Sequence, residues 1–180
     1  ENKIRKNLSE ATIIKPSIVY SVDDNFTTRF MSILGIIPFF PLYYNGNTKF
    51  APVHVIDVAK LICHVISKEI YSKDIEVIGP EVLSFKEIIK KILLSINKKR
   101  ILLPMPLFLA KISASFFQIL PNPLITRDQL NLLKYDNVKS EKGITNFDVG
   151  CPSEIFFEEA IKKYAYNWRQ GGEFSVKKNN

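Results

Sequence analysis

Short β-branched runs alternating with amphipathic segments between residues 11 and 96, followed by helical sequence from 106 to 168, predict an α/β fold with an appended, mostly helical part. With 46% hydrophobic residues in 180, the chain has enough apolar side chain to close a core, and its seven Gly and ten Pro exclude collagen-like or linker-like sequence. Cys63 and Cys151 are its two cysteines, too far apart for a paired metal-binding motif, so neither a zinc site nor a disulfide framework is expected.

The elements follow in order. Ala11 to Lys15 (ATIIK) is a β-branched run that stops at Pro16, as a buried strand running into a loop would. Asp23, Asp24 and Asn25 offer N-caps for a helix over roughly Phe26 to Leu34. Asn45-Gly46-Asn47 marks a turn between two strand-like stretches, Leu42–Tyr44 and Thr48–Val55. Asp57 is expected to cap a helix reaching Lys68, with Val58, Leu61, Ile62, Val65 and Ile66 on its apolar face. Glu76 to Ile78 reads as a brief strand ending at Gly79-Pro80.

Ser84 and Glu87 have capping-box spacing, and Phe85, Ile88, Ile89, Ile92, Leu93 and Ile96 then recur with helical period. Arg100 to Leu103 is a further strand-like piece. The apolar stretch Ile101 to Leu120 approaches membrane-spanning length, but Pro104, Pro106 and Lys111 interrupt it. A helix starting near Pro106 would carry one narrow polar stripe (Lys111, Ser115, Gln118), which fits a buried helix or one lying on a membrane surface. Thr126 starts another helix, and Ser153 to Trp168 a last one with Glu158/Lys162 and Glu159/Lys163 pairs on its wet side. The Gly-, Lys- and Asn-rich tail from Gln170 is expected to fray.

Catalytic parts are few. No Gly-x-Gly-x-x-Gly and no P-loop occurs, so the chain carries no phosphate cradle of its own. His64 shares a polar helix face with Lys60 and Lys68 and reads as a solvated histidine. His54, in a strand, fits a hydrogen-bonded core residue or the lining of a site. Cys63 lacks an activating neighbour and reads as a small buried side chain. The net charge of +7 is spread over helices without a basic–aromatic stripe, which gives no support to nucleic-acid binding.

Ala11 to Asn25, ATIIKPSIVYSVDDN, resembles the segment of extended short-chain dehydrogenase/reductases in which a strand ends in an Arg-Pro-x-x-Val-Tyr-Gly-Pro loop. FAPVHVIDVAK, GPEVLSFKEIIKKIL, LPMPLFLAK and PNPLITRDQLNLLKYDNVKS, with the terminal WRQGGEF, resemble the alpha-subcomplex subunit nine family of respiratory complex I and its bacterial relatives. The resemblance covers nearly the whole chain. It implies the C-terminal part of a Rossmann-type, NAD(P)-binding fold of the epimerase/dehydratase superfamily. Residues 1–80 would end the Rossmann-like domain, 81–169 form a helical subdomain and 170–180 a flexible tail. The chain opens on Glu1 rather than Met, and the Gly-rich loop and the Tyr-x-x-x-Lys pair of active relatives would then lie upstream.

By the same resemblance, Pro16, Ser17, Ile18 and Val19 would meet the nicotinamide of NADP(H) or NAD(H), bound only by the full-length protein. Core packing would equally explain Ile18 and Val19. Ser21 replaces the family's usual Gly and Lys15 its Arg. Phe50 and His54 are the substrate-side candidates. Phe50 stands where sugar-nucleotide epimerases carry a phosphate-binding Arg, which argues against a sugar-nucleotide substrate. No catalytic residue and no metal ligand is assigned. The implied function is a dinucleotide-holding accessory or assembly protein of complex I, with complex I subunits and an anionic membrane surface as partners. Its place would be the bacterial cytoplasm beside the inner membrane, or the mitochondrial matrix. The alternative is a stand-alone NAD(P)-dependent epimerase, dehydratase or reductase acting on a small or lipid-like, quinone-related substrate.

Overall fold

The computed structural model describes residues 2–105 and 131–172. The helices expected after Pro106 and Thr126 therefore lie wholly or mostly outside the described residues, as does most of the tail. A short helix α1 (Asn2–Asn7) leads to strand β1 (Ile13–Pro16), then β2 (Val19–Tyr20), helix α2 (Thr27–Ile36), β3 (Phe39–Tyr43), β4 (Lys49–Phe50), β5 (Val53–His54) and helix α3 (Val55–Ser67). Next come β6 (Asp74–Val77), β7 (Leu83–Ser84), helix α4 (Phe85–Ser95), β8 (Ile101–Met105), β9 (Ile144–Thr145) and helix α5 (Phe157–Lys162), with a 3₁₀ turn over Ala165–Trp168.

Parallel pairing organises the chain. β6 lies between β1 and β9, with Ile14 opposite Ile75 and Ile75 opposite Ile144. Leu61 and Val65 of α3 cover this sheet by packing with Val53, Ile75 and Val77. β2 pairs with β5, and β3 with β8, also in parallel. The Asn45-Gly46 turn forms, with both residues at positive φ, yet it does not close a hairpin: β3 goes to β8 and β4 pairs antiparallel with β7. The larger core joins α2, α4, α5 and the 3₁₀ turn through Met31, Leu34, Ile88, Ile92, Phe157, Ile161 and Ala165, all fully buried.

Local sequence explains the best-formed helices. The Ser84–Glu87 capping box is complete, because each side chain meets the other's backbone N–H, and the apolar positions of α4 all face the core except Leu94. Asp24 closes the entry to α2, accepting from the Phe26 and Thr28 amides at 2.9 and 3.1 Å. It also holds the Ser21 amide at 2.9 Å, and Ser21 needs no positive φ to complete the loop.

Several expectations are corrected. His54, not Asp57, is the N-cap of α3: its Nδ1 accepts the Ile56 N–H at 3.3 Å, while Asp57 is turned into the protein at 3% exposure. Cys63 is exposed rather than buried, and Ile62 and Ile66 are exposed on the same helix, because the sheet covers only the Leu61–Val65 edge of α3. His64 is half-buried and bonds the Val149 carbonyl at 3.0 Å, since the 144–151 turn folds over that face. The last helix starts at Phe157 and gives way to the 3₁₀ turn after Tyr164, so only its middle is regular.

Candidate functional site: the end of β1 and the adjoining cavity

In open α/β sheets ligands meet the carboxyl ends of the strands, where backbone groups are released from pairing. Here that edge lies where β1 and β6 end together, Pro16 opposite Val77. The Ser17 N–H continues the pairing by donating to the Val77 carbonyl at 2.9 Å, and the Ile18 carbonyl accepts the Val53 N–H at the same distance. Ser17 Oγ donates to the Asn137 carbonyl at 3.0 Å. The four residues 16–19 are thus held by three separate chain segments, a rigid loop at a strand end.

Beside it lies a cavity of about 450 Å³. Ile18 from the loop, Phe26, Arg29 and Phe30 from the α2 end, Phe40 and Tyr43 from β3, Phe50 from β4 and Phe85 from α4 line it, and residues 132–138 form the facing wall. That wall is fixed by backbone pairing. The Asn137 N–H donates to the Lys49 carbonyl at 2.8 Å, the Ala51 N–H donates to the Asn137 carbonyl at 3.1 Å, and Asp136 Oδ1 accepts the Lys49 N–H at 2.8 Å.

Of the residues singled out from the sequence, Ile18 and Phe50 meet at this cavity. Ser17 reaches its wall through Asn137, while Pro16 ends β1 and Val19 pairs with Val53. Phe50 is buried and Lys49 exposed, as alternation along a strand demands. His54 sits apart from the cavity, capping α3 and packing edge-on against Tyr20 with ring centroids 5.2 Å apart. Burial lowers the His54 pKa against the opposing pull of Asp57, so the neutral ring that accepts the Ile56 amide is favoured. Tyr20, fully buried with its hydroxyl donating to the Ile155 carbonyl at 3.1 Å, is pushed far above the ordinary phenol range, chiefly by desolvation. Its hydroxyl ties β2 to the segment that leads into α5.

From the sequence Asn25 is expected only as a cap and Phe85 only on a helix face, and Arg29, Phe30 and Asn137 have no expected place in a site. Their convergence depends on parallel pairings between distant segments. Among the described residues no cluster of His, Cys, Asp and Glu has metal-holding geometry. No described helix is long and apolar enough to cross a membrane.

No protein-family profile matches the chain. Over 155 residues, 80% of this chain and 39% of the relative, it is 29% identical to NADH dehydrogenase [ubiquinone] 1 alpha subcomplex subunit 9, mitochondrial, of Arabidopsis thaliana. It is 26% identical over 173 residues to the mitochondrial NADH-ubiquinone oxidoreductase 40 kDa subunit of Neurospora crassa, covering 93% of this chain and 45% of that one. The chain therefore spans less than half the length of these curated relatives. Among solved structures, the UDP-glucuronic acid 4-epimerase of Bacillus cereus, in complex with UDP-glucuronic acid and NAD, matches with a TM-score of 0.59 at 14% identity, over 91% of this chain and 48% of that one. A dTDP-glucose 4,6-dehydratase from Streptomyces venezuelae with NAD bound gives the same TM-score and identity over 92% and 46%. By sequence, then, this chain is similar to the alpha-subcomplex subunit 9 and 40 kDa subunits of the mitochondrial NADH-ubiquinone oxidoreductase, and its α/β fold with parallel sheets matches part of the Rossmann-like fold of epimerase and dehydratase structures.

Proposed function

We propose that this chain belongs to an NAD(P)-binding accessory or assembly protein of complex I type, in which the dinucleotide is held mainly for structure. The observation that carries the reading is the loop 16–19, clamped at the carboxyl end of a parallel strand in a chain whose relatives are complex I subunits and whose structural neighbours were solved with NAD. Pro16, Ser17, Ile18 and Val19 fit the nicotinamide end of NADP(H) or NAD(H), where loop backbone can meet a carboxamide. They offer nothing to a pyrophosphate, and no Gly-rich cradle occurs in the sequence. The cofactor is accordingly held only by a protein carrying the remaining length of its relatives.

Complex I subunits are the partners in this reading. The positive net charge suits an anionic membrane face beside them, in the mitochondrial matrix or on the cytoplasmic side of a bacterial inner membrane. Residues 1–80 serve as the end of the dinucleotide domain, 81–169 as the helical part and 170–180 as a tail. Calorimetric titration of NADPH and NADH tests the cofactor assignment. The 180-residue chain should give no isotherm, and a protein extended to the length of its relatives should give one. Saturable micromolar binding to the short chain, or none to the long one, overturns it. Co-purification of the extended protein with complex I tests the partner, and its absence from that complex removes the assembly role.

The cavity favours a second reading, because Ile18 belongs both to its wall and to the proposed nicotinamide loop. A stand-alone NAD(P)-dependent epimerase, dehydratase or reductase would place a small or lipid-like substrate there, with Phe50 on the substrate side and His54 outside the cavity. Steady NADPH turnover by the extended protein with any carbonyl substrate would promote this reading over the first.

A further inference from the structure

We infer that the cavity between α2, β3 and the 132–138 segment is a binding site for an aromatic ligand of one or two fused rings carrying an anionic group. The inference does not depend on the dinucleotide reading, and it gives the cavity of the second reading a ligand class, aromatic rather than lipid-like. The walls are rings set edge to face. Phe30 meets Phe26 at 5.1 Å and 87°, Phe40 at 5.7 Å and 80°, and Phe85 at 5.6 Å and 66°. Phe50 continues the series against Phe85 at 6.4 Å and 64°. Edge-to-face contacts are the favoured geometry between aromatic quadrupoles, and a flat guest extends such a lattice where a flexible alkyl chain would not. A volume of about 450 Å³ lies within the range of small-molecule sites and matches a guest of this size.

The polar groups are few and grouped by element. Asn25 and Arg29 come from the start of α2, and Asp136 and Asn137 from the facing wall. Asp136 spends one carboxylate oxygen on the Lys49 amide, and the Asn137 backbone is paired with β4 and its neighbour Ala51. Arg29 is the cation of the described lining, and the guest's oxyanion is placed beside its guanidinium. Carbon walls for the ring and a guanidinium for the head together select an aromatic sulfonate, carboxylate or phenolate over a sugar phosphate.

The test uses the full 180-residue chain with two fluorescent naphthalenes, neutral N-phenyl-1-naphthylamine and anionic 8-anilinonaphthalene-1-sulfonate, and with laurate as competitor. One equivalent of each naphthalene should bind, and laurate should displace neither at equimolar concentration. Val138→Trp, which fills the cavity from a half-buried position, should weaken both by about tenfold with the melting temperature held. Leu132→Trp, at an exposed lining position, provides the same block if the first variant fails to fold. Arg29→Gln should weaken the sulfonate about fivefold and leave the neutral probe unchanged. Unaltered binding to a folded filled variant, several equivalents per chain, or ready displacement by laurate overturns the site. Equal effects of Arg29→Gln on both probes overturn the anionic class. Because no dinucleotide enters these titrations, their failure is separable from failure of the cofactor assignment.

Discussion

Asp57 Oδ2 lies 3.1 Å from the amide nitrogen of Ile155 and accepts its hydrogen bond, as it does that of Glu154 at the same distance. One buried carboxylate on the first turn of α3 thereby fastens the segment that leads into α5. Lys60, 3.6 Å from the other oxygen, supplies the counter-charge. Asp57→Ala removes two charge-assisted bonds at once and is expected to lower stability by about 2 kcal/mol. Urea denaturation measures it. Asp57→Asn, which keeps one acceptor, should cost less than Asp57→Ala; equal losses would show that charge and not bonding matters.

Gly79 follows β6 where the chain crosses the loop before β5, and its N–H donates to the Ala51 carbonyl at 3.0 Å. A Cβ there would stand 1.7 Å from the Pro52 carbonyl oxygen, a backbone atom that cannot swing away. Gly79→Ala should therefore cost about 3 kcal/mol by forced displacement of two strand ends. Thermal melting of the variant checks this, and a shift of less than a degree would refute the close approach.

The His54 cap predicts a pH effect of definite sign. Its folded pKa is lowered, chiefly by burial, so the neutral form is favoured in the folded protein. The stabilisation is present above the unfolded value near 6.5 and is lost as pH falls through the lower folded value. Protonation at Nδ1 would also turn the acceptor of the Ile56 N–H into a donor. Amide exchange in the first turn of α3 should quicken below that point. In His54→Asn, whose side chain caps without titrating, it should stay constant.

Glu158 accepts from Lys162 and, at 2.9 Å, from Lys91, and these bonds, the first above all, hold its carboxyl down to about 2. Since the folded pKa is depressed, the contribution is present above the ordinary value of 4.5 and lost as pH falls towards 2. With the group part-exposed and screened by solvent, Glu158→Gln should cost about 1 kcal/mol at neutral pH. Near pH 2 the variant and the parent should converge, which denaturation series at both pH values will show.

Helices α3 and α4 were legible because burial on one side imposes a 3.6-residue period and because Ser84 and Glu87 advertise a cap three residues apart. β1 and β6 were legible as compact runs ending near Pro16 and Gly79, although Pro16 is the last residue of β1 and pairs with Val77 rather than stopping the strand before it. The error over Asp57 has a clear cause: Asp is a common N-cap, and nothing local distinguishes it from a carboxylate aimed at amides that lie 97 and 98 residues ahead. Cys63 likewise reads as a small buried side chain for want of an activating neighbour, yet α3 is covered along one edge only and leaves it exposed.

By itself, the sequence determined the helical period of α3 and α4, the Ser84–Glu87 capping box and the lack of a Gly-rich cradle, all of which depend on neighbours a few residues away. Tertiary structure alone decided the site. Ile18, Phe30, Phe50, Phe85 and Asn137 come together because β3 pairs with β8, β4 with β7, and the 137 backbone with β4. Such pairings are made by backbone groups common to all residues but proline, and even Pro41 and Pro104 lie within the β3–β8 pair, so no side-chain pattern along the chain records them.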